Sequence, residues 1–502
     1  MRHVRVARKA LRVPKLGSSR GRALLRLPAL VVGAITLPFR RRKAAKGVSG
    51  DADARKDEML ALAGGVTRTI GGARVRTVFR SKERKEEAQR AALEKATAQA
   101  VEQLGNMKGL AMKLGQMMSY ISVLPEEGEE QLAALQDAVP PMDPDLVDAV
   151  IDDQLGASPD KVFAEFDYEP IAAASVGQVH RARLGDGRSV AVKLQYPGVD
   201  EAFEADLANI DQMTQLTSLT IKADVSEYVG ILYDSFRGEL DYCAEQRNQQ
   251  RLADLYRAHP FVVIPETIPE LCRPHVLVTE LIEGRRFRDA VAKSQEERNH
   301  LGEVMYRFAF GCIMNGFFSG DPHPGNYLFL DDGRVCFLDF GMVMDIGAVA
   351  DDNVIRHLFE GALEGDQAQI DRGLRLVGFL PDGGPSGAEV WTDVQPIVAG
   401  PIDSPGVTRF DRTVFHHGMQ RQANPRSPFN RAAMKTDHFE GWAAIWMRYA
   451  VGALASIARL EPEADWRQIV SEIVLGAPPH NDIGERWGES PGGSAFTRGA
   501  SR

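Results

Sequence analysis

Residues 321–341 read DPHPGNYLFLDDGRVCFLDFG. Asn326 stands five positions after Asp321, and Asp339, at the head of Asp-Phe-Gly, stands eighteen positions after it. Two short β-prone runs flank Asp331-Asp332-Gly333, which is a hairpin signal. A hairpin there returns Asp339 to the side of Asn326. Two carboxylates and an amide oxygen then belong to one site. One carboxylate can accept or orient a hydroxyl proton. The other, with the amide oxygen, offers hard ligands for magnesium on a phosphate chain. These are parts for phosphoryl transfer. Taken alone, the Asp-Pro-His-Pro-Gly-Asn stretch is a tight turn and Asp-Phe-Gly a chance tripeptide, so their meaning depends on what precedes them. His323 has no partner histidine at ligand spacing and is assigned a substrate-side or structural use.

Upstream, residues 172–180 read AAASVGQVH. Loops that wrap a phosphate are glycine-rich, because the backbone must approach closely and often needs positive φ. Here Ala172, Ala174, Gly177 and Val179 occupy the G, G, G and V places of the protein-kinase pattern G-x-G-x-x-G-x-V. Fourteen positions after Val179, the run VAVK ends at Lys193. Kinase N-lobes place their phosphate-pairing lysine at about that distance. Any amphipathic strand can end in lysine, so VAVK alone says little. The ordered series of loop, VAVK, D-x-x-x-x-N and DFG at kinase spacing says much more.

Two further stretches depart from that pattern. GELDYCAEQRN, residues 238–248, predicts a helix carrying Glu239, Asp241 and Glu245, within a helical stretch from about 199 to 259. Asp241 and Glu245 at i,i+4 repel unless a cation joins them. Arg237 is one such cation for Asp241. Glu245 is expected to pair with Lys193, as the helix-C glutamate does in kinases. The second stretch is KLGQ, with Lys113 and Gln116 at i,i+3 on one helix face. Local sequence reads that lysine as exposed on an amphipathic helix. Glu280, in TELIEG, is expected in a hinge beside adenine.

The surrounding chain sets the frame. With 44% hydrophobic and 26% charged residues over 502 positions, most of it should fold, in two or more domains. Four separated cysteines without a CxxC argue against structural zinc or a disulfide framework. Residues 1–50 hold 14 Lys/Arg and no Asp or Glu, on a chain of net charge −9, so a basic arm precedes an acidic body. Such an arm suits an anionic surface. Within it, LPALVVGAITLPF (residues 27–39) would rise about 20 Å as a helix, short of a membrane core of roughly 30 Å. A peripheral anchor and a disordered or targeting tail both fit. WAAIWMRYAVGALASIARL (residues 442–460) carries Arg448 at its centre and reads as a buried helix rather than a span.

The expected order is a basic tail (1–60), a helical extension (61–162), a small β-rich lobe (163–284), a helical lobe (285–489) and a disordered tail (490–502). The fold class is α+β, two-lobed and protein-kinase-like.

Together these residues resemble the UbiB family of atypical, protein-kinase-like proteins, over about residues 104–341. The resemblance rests on K-x-G-Q (Lys113 to Gln116), the alanine-rich loop (Ala172, Ala173, Ala174, Ser175), the VAVK lysine, E-x-D (Glu239, Asp241), D-P-x-x-x-N and DFG. It implies that the extension folds over the active site, bringing Lys113 to the E-x-D acids and Gln116 to the nucleotide. It implies altered nucleotide handling by the alanine-rich loop and a blocked protein-substrate site. Ser319-Gly320 stand where protein kinases have His-Arg, and no A-P-E follows DFG, which agrees.

The expected cofactors are ATP or ADP with magnesium. The expected roles are Lys193 and Glu245 on phosphates, Asn326 and Asp339 on magnesium, and Asp321 as base or as the group that orients the nucleophile. The expected activity is an atypical kinase or ATPase serving quinone or isoprenoid-lipid metabolism. A catalytically silent nucleotide-gated scaffold and a small-molecule phosphotransferase of the aminoglycoside type stay open. So do a lipid or quinone-precursor ligand, peripheral contact of a cytoplasmic protein with the inner membrane, and a homodimer. No nucleic acid partner is expected.

Overall fold

The computed structural model describes residues 141–173, 176–201, 203–204, 238, 240–314, 317–319, 322–345, 353–381, 383–398, 402, 404–422, 426–433 and 441–490. The basic arm, the extension as far as residue 140 and the tail beyond residue 490 lie outside them. So do Lys113, Gln116, Ala174, Ser175, Arg237, Glu239 and Asp321.

The described chain opens with α1 (Pro144–Leu155) and the single turn α2 (Pro159–Val162), expected in the helical extension; α1 packs into the core of the β-rich lobe. Asp143 caps α1, and Gly156 ends it in the left-handed conformation (φ 74°), which glycine adopts without steric cost. Then come β1 (Glu165–Ala173), β2 (Gly177–Arg183) and β3 (Ser189–Gln195). Next are α3 (Tyr242–Leu255), β4 (Val262–Val263) and β5 (Val276–Glu280). The strands β1-β2-β3-β5 form one antiparallel sheet in that order. The hairpin between β2 and β3 turns at Gly187 (φ 92°), with the Asp186 carboxylate accepting from the Arg188 amide.

Alternation along β3 divides its side chains between two faces. Val190, Val192 and Leu194 are buried with Val276 and Val278 of β5 and with Val147 and Ile151 of α1. Lys193 therefore faces the other way. One strand both builds the lobe core and presents the lysine.

The second lobe has α4 (Phe287–Val291), α5 (Gln295–Met314), β6 (Phe317–Ser319), β7 (Tyr327–Phe329), β8 (Val335–Phe337) and β9 (Val343–Asp345). It continues as α6 (Asn353–Glu364), α7 (Gln367–Leu376), α8 (Gly387–Val398), α9 (Arg412–Gln422), α10 (Pro428–Ala433), α11 (Gly441–Leu460), α12 (Trp466–Val470) and α13 (Asp482–Glu489). Helix α5 is buried from Leu301 to Ile313, as a helix at the centre of a lobe must be. It packs on α11, whose Tyr449, Leu454 and Ile457 share its core. The apolar stretch 442–460 is thus a core helix. Among the described residues no helix is long and apolar enough to cross a membrane.

The paired strands β7 and β8 realise the hairpin expected around residues 331–333, with Tyr327 opposite Phe337. β8 also pairs in parallel with β4, which follows α3 in the chain.

Candidate nucleotide and metal site

The Lys193 ammonium lies 2.8 and 2.9 Å from the two oxygens of Glu245. The carboxylate is 1% exposed and the lysine side chain 18%. Burial pulls the Lys193 pKa down and is the largest single influence. Attraction to Glu245, with Tyr242 and Asp339 adding to it, outweighs burial, and the ammonium is held well above its ordinary pKa. The ring of Tyr242 lies under the ammonium, 4.8 Å away.

Glu245 is delivered by α3, and the start of that helix corrects one expectation. Asp241 is not a helix-interior acid repelling Glu245. It is the N-cap, and its carboxylate accepts from the amides of Cys243 and Ala244 at 3.0 and 3.1 Å. Helical backbone at Gly238 and Leu240 breaks at Asp241 before α3 begins. A negative cap offsets the positive helix end, so Asp241 needs no side-chain cation to be stable there. Arg247 approaches it at 4.0 Å across exposed surface. Gln195, two residues beyond Lys193, donates to the Leu240 carbonyl at 2.8 Å and fixes the break against β3.

The hairpin β7–β8 brings the second half together. The Leu338 amide donates to the Asn326 carbonyl at 3.1 Å, so Asp339 follows directly beside Asn326. One Asp339 oxygen accepts from the Gly341 amide at 3.0 Å. A methyl at Gly238 would stand 3.0 Å from the Gly341 carbonyl oxygen, so the chain leading to Asp241 runs against Asp-Phe-Gly. Asp339 also contributes to the electrostatics of Lys193, which ties the two halves electrically.

His323 takes a structural role. It caps the 3-10 turn Pro324–Asn326, its Nδ1 accepting from the Gly325 amide at 2.9 Å. Pro322, next to Asp321, is seated on α11. The Ser456 hydroxyl donates to the Pro322 carbonyl at 3.0 Å, and Gly452, one turn earlier, leaves room for the proline ring.

Ala172 and Ala173 end β1 and are exposed. Gly177 starts β2, where its missing side chain has a packing reason: a Cβ would lie 2.0 Å from the Leu194 carbonyl oxygen. Val179 is half-buried within β2, opposite Lys193 on β3. Glu280 ends β5, exposed, where the chain leaves the sheet. Arg286, beyond that crossing, reaches back to the Ile171 carbonyl at 3.0 Å, just before the alanine-rich loop.

Asn326 and Asp339 are the two side chains that could hold a metal, through one amide oxygen and one carboxylate. No cluster of three or more His, Cys, Asp or Glu that could hold a metal occurs among the described residues. Two protein ligands suit magnesium, which keeps waters and takes the rest of its shell from substrate phosphates. Sequence reasoning missed Gln195, Ser456 and Asn248, whose side-chain amide donates to the Phe340 carbonyl at 3.2 Å. Asn248 was accessible, since it lies three residues after Glu245 on the same helix face.

Comparisons with known proteins bear on the family and the fold. Residues 134–373 match the family model described as an ABC1 atypical kinase-like domain. The chain is 34% identical to Protein ACTIVITY OF BC1 COMPLEX KINASE 8, chloroplastic, of Arabidopsis thaliana, over 54% of this chain and 37% of that protein. It is 34% identical to the Probable protein kinase UbiB of Azotobacter vinelandii, over 51% of this chain and 50% of that protein. The chain thus spans half or less of the length of these two relatives. A solved structure of Rv3197 from Mycobacterium tuberculosis, in complex with erythromycin, is similar with a TM-score of 0.59 and 30% identity, covering 78% of this chain and all of that one. On its motifs, its two-lobed fold and these matches, the chain belongs to the ABC1/AarF atypical kinase-like family.

Proposed function

We propose that this protein binds ATP with magnesium and acts as an atypical kinase or ATPase, in support of quinone or isoprenoid-lipid metabolism at a membrane surface. The observation that carries the nucleotide reading is the ion pair of Lys193 with the buried Glu245, whose ammonium also feels the Asp339 carboxylate. A buried glutamate that fixes a lysine in one geometry presents a positive charge without the entropy of a free side chain, which suits phosphate binding. Asn326 and Asp339 would hold magnesium, which when bound neutralises charge on the phosphates. Asp321, by its place in D-P-x-x-x-N, would orient the attacking hydroxyl or water. The lipid and quinone part rests on the family resemblance and on the name of the UbiB relative. The membrane part rests on the basic arm. The erythromycin complex of the Rv3197 relative supports a small-molecule ligand in addition to nucleotide.

The test is magnesium-dependent ATP hydrolysis by the purified chain, wild type against Asp321→Asn, with and without anionic liposomes. Hydrolysis raised by liposomes and removed by the substitution supports the reading. Nucleotide binding with no turnover in either protein replaces it with a nucleotide-gated scaffold. No magnesium-dependent nucleotide binding at all overturns both.

A further inference from the structure

Helix α3 is anchored in both lobes. Tyr242, in its first turn, belongs to the core of the β-rich lobe. Leu252 and Ala253, near its end, and Tyr256 just beyond, belong to the core of the helical lobe. Its roll is fixed as well. Gln249 donates to the Pro265 carbonyl at 2.7 Å, and Gln250 and Gln246 bond Thr267. The side chains on its inner face therefore occupy set positions.

Three side chains at steps of three, the buried Glu245, the half-buried Asn248 and the exposed Arg251, each make a defined contact. Glu245 holds Lys193. Arg251 lies over the ring of Phe317, 3.8 Å from its centroid, on the strand before the D-P-x-x-x-N turn. Between them, the Asn248 amide nitrogen donates to the Phe340 carbonyl at 3.2 Å.

That carbonyl belongs to the same peptide unit as the Gly341 N–H, and the Gly341 N–H donates to Asp339 Oδ1 at 3.0 Å. A peptide unit is planar, with C=O and N–H pointing in opposite directions. Gripping one end therefore sets the other. The grip is needed because residue 341 is glycine, whose φ is nearly free, so this peptide can turn over at little steric cost. A turned peptide would present a carbonyl oxygen to the Asp339 carboxylate in place of a donor. Phe340, 1% exposed, holds its ring in the core but leaves the orientation of its carbonyl to hydrogen bonding.

We infer that Asn248 is a positioning residue for Asp339: by holding the Phe340–Gly341 peptide, it aims the Asp339 carboxylate for magnesium on the nucleotide. This rests on the nucleotide reading of the site. The bond is specific to a donor at residue 248. Aspartate has the shape of asparagine but no N–H and would repel the carbonyl.

The test compares wild type with Asn248→Ala and Asn248→Asp. ATP binding is titrated without magnesium and then at increasing magnesium, thermal melts are recorded, and hydrogen exchange is followed across residues 338–343. Both variants should bind magnesium-free ATP within about twofold of wild type, and need about tenfold more magnesium for the half-maximal effect, the scale of one lost hydrogen bond. Exchange should speed across residues 338–343 and stay unchanged in α5. Equal losses with and without magnesium, tracking a lowered melting temperature, would reduce Asn248 to a structural residue and overturn the inference. So would an unchanged magnesium dependence. A wild type with no magnesium-dependent binding would instead overturn the nucleotide reading on which it stands.

Discussion

Lys193 and Glu245 form a two-pronged ion pair from which water is almost excluded on the glutamate side, with the carboxylate 1% exposed. Desolvating both charges offsets most of their attraction, while removing one partner strands the other. Lys193→Met should therefore lower the unfolding free energy by about 3 kcal/mol. The double variant Lys193→Met, Glu245→Leu should recover much of that, and both should lose nucleotide binding. Urea unfolding of the two variants checks it. A double variant as unstable as the single one would show that the pair itself stabilises the fold.

Gly177 carries a different constraint from the alanines before it. Its φ is not positive, but a Cβ there would meet the Leu194 carbonyl at 2.0 Å, and a strand carbonyl cannot move away as a flexible side chain can. Gly177→Ala should cost about 1–3 kcal/mol, the range for forced overpacking. Ala172→Gly, at an exposed strand end, should cost less than about 1 kcal/mol and change nucleotide preference instead. Denaturation midpoints and the ratio of ATP to ADP affinity separate the two effects.

Asp241 has a measurable structural duty. Asp241→Ala removes the cap of α3 and should destabilise the protein by about 1 kcal/mol, whereas Asp241→Ser, which can still cap, should stay within a few tenths. If Asp241 also serves the nucleotide, Asp241→Ser will keep its melting temperature and lose affinity. Calorimetry with and without ATP reads both.

His259 is buried against Trp487 and accepts from the amides of Phe261 and Val262 through Nδ1. Burial lowers its pKa from 6.5 to about 4. The unfolded chain takes up the proton first, so the stability tied to neutral His259 is intact above pH 6.5 and lost as pH falls toward 4. The full loss is about 3 kcal/mol. His259→Asn keeps an acceptor and does not titrate there. Stability measured from pH 7 to 4.5 should fall more steeply for wild type than for the variant, and equal slopes would refute the assignment.

Much is legible in the sequence alone. The β3 alternation Val190, Val192, Leu194 places Lys193 on the opposite face from the core, because strand side chains alternate. The Asp-Asp-Gly turn predicts the hairpin that returns Asp339 to Asn326. These follow from short-range rules, where neighbours in sequence are neighbours in space.

Other features were not legible. Asp241 reads as a helical acid in need of a cation because helix periodicity runs through residue 241. The break is set by packing, with Gln195 of β3 holding the Leu240 carbonyl. Residues 442–460 could be named a buried helix, but not the helix that seats Pro322 through Gly452 and Ser456, which are 130 and more residues away. Asn248 is one polar residue among several on α3 until the chain folds Phe340 beneath it.

The sequence by itself determined the chemical parts, their order and the local elements that carry them. Tertiary structure decided which side chain holds which, because a hydrogen bond is made over about 3 Å and depends on direction. Only the packing of α3 into two cores at once brings Glu245 to Lys193 and Asn248 to the peptide beside Asp339.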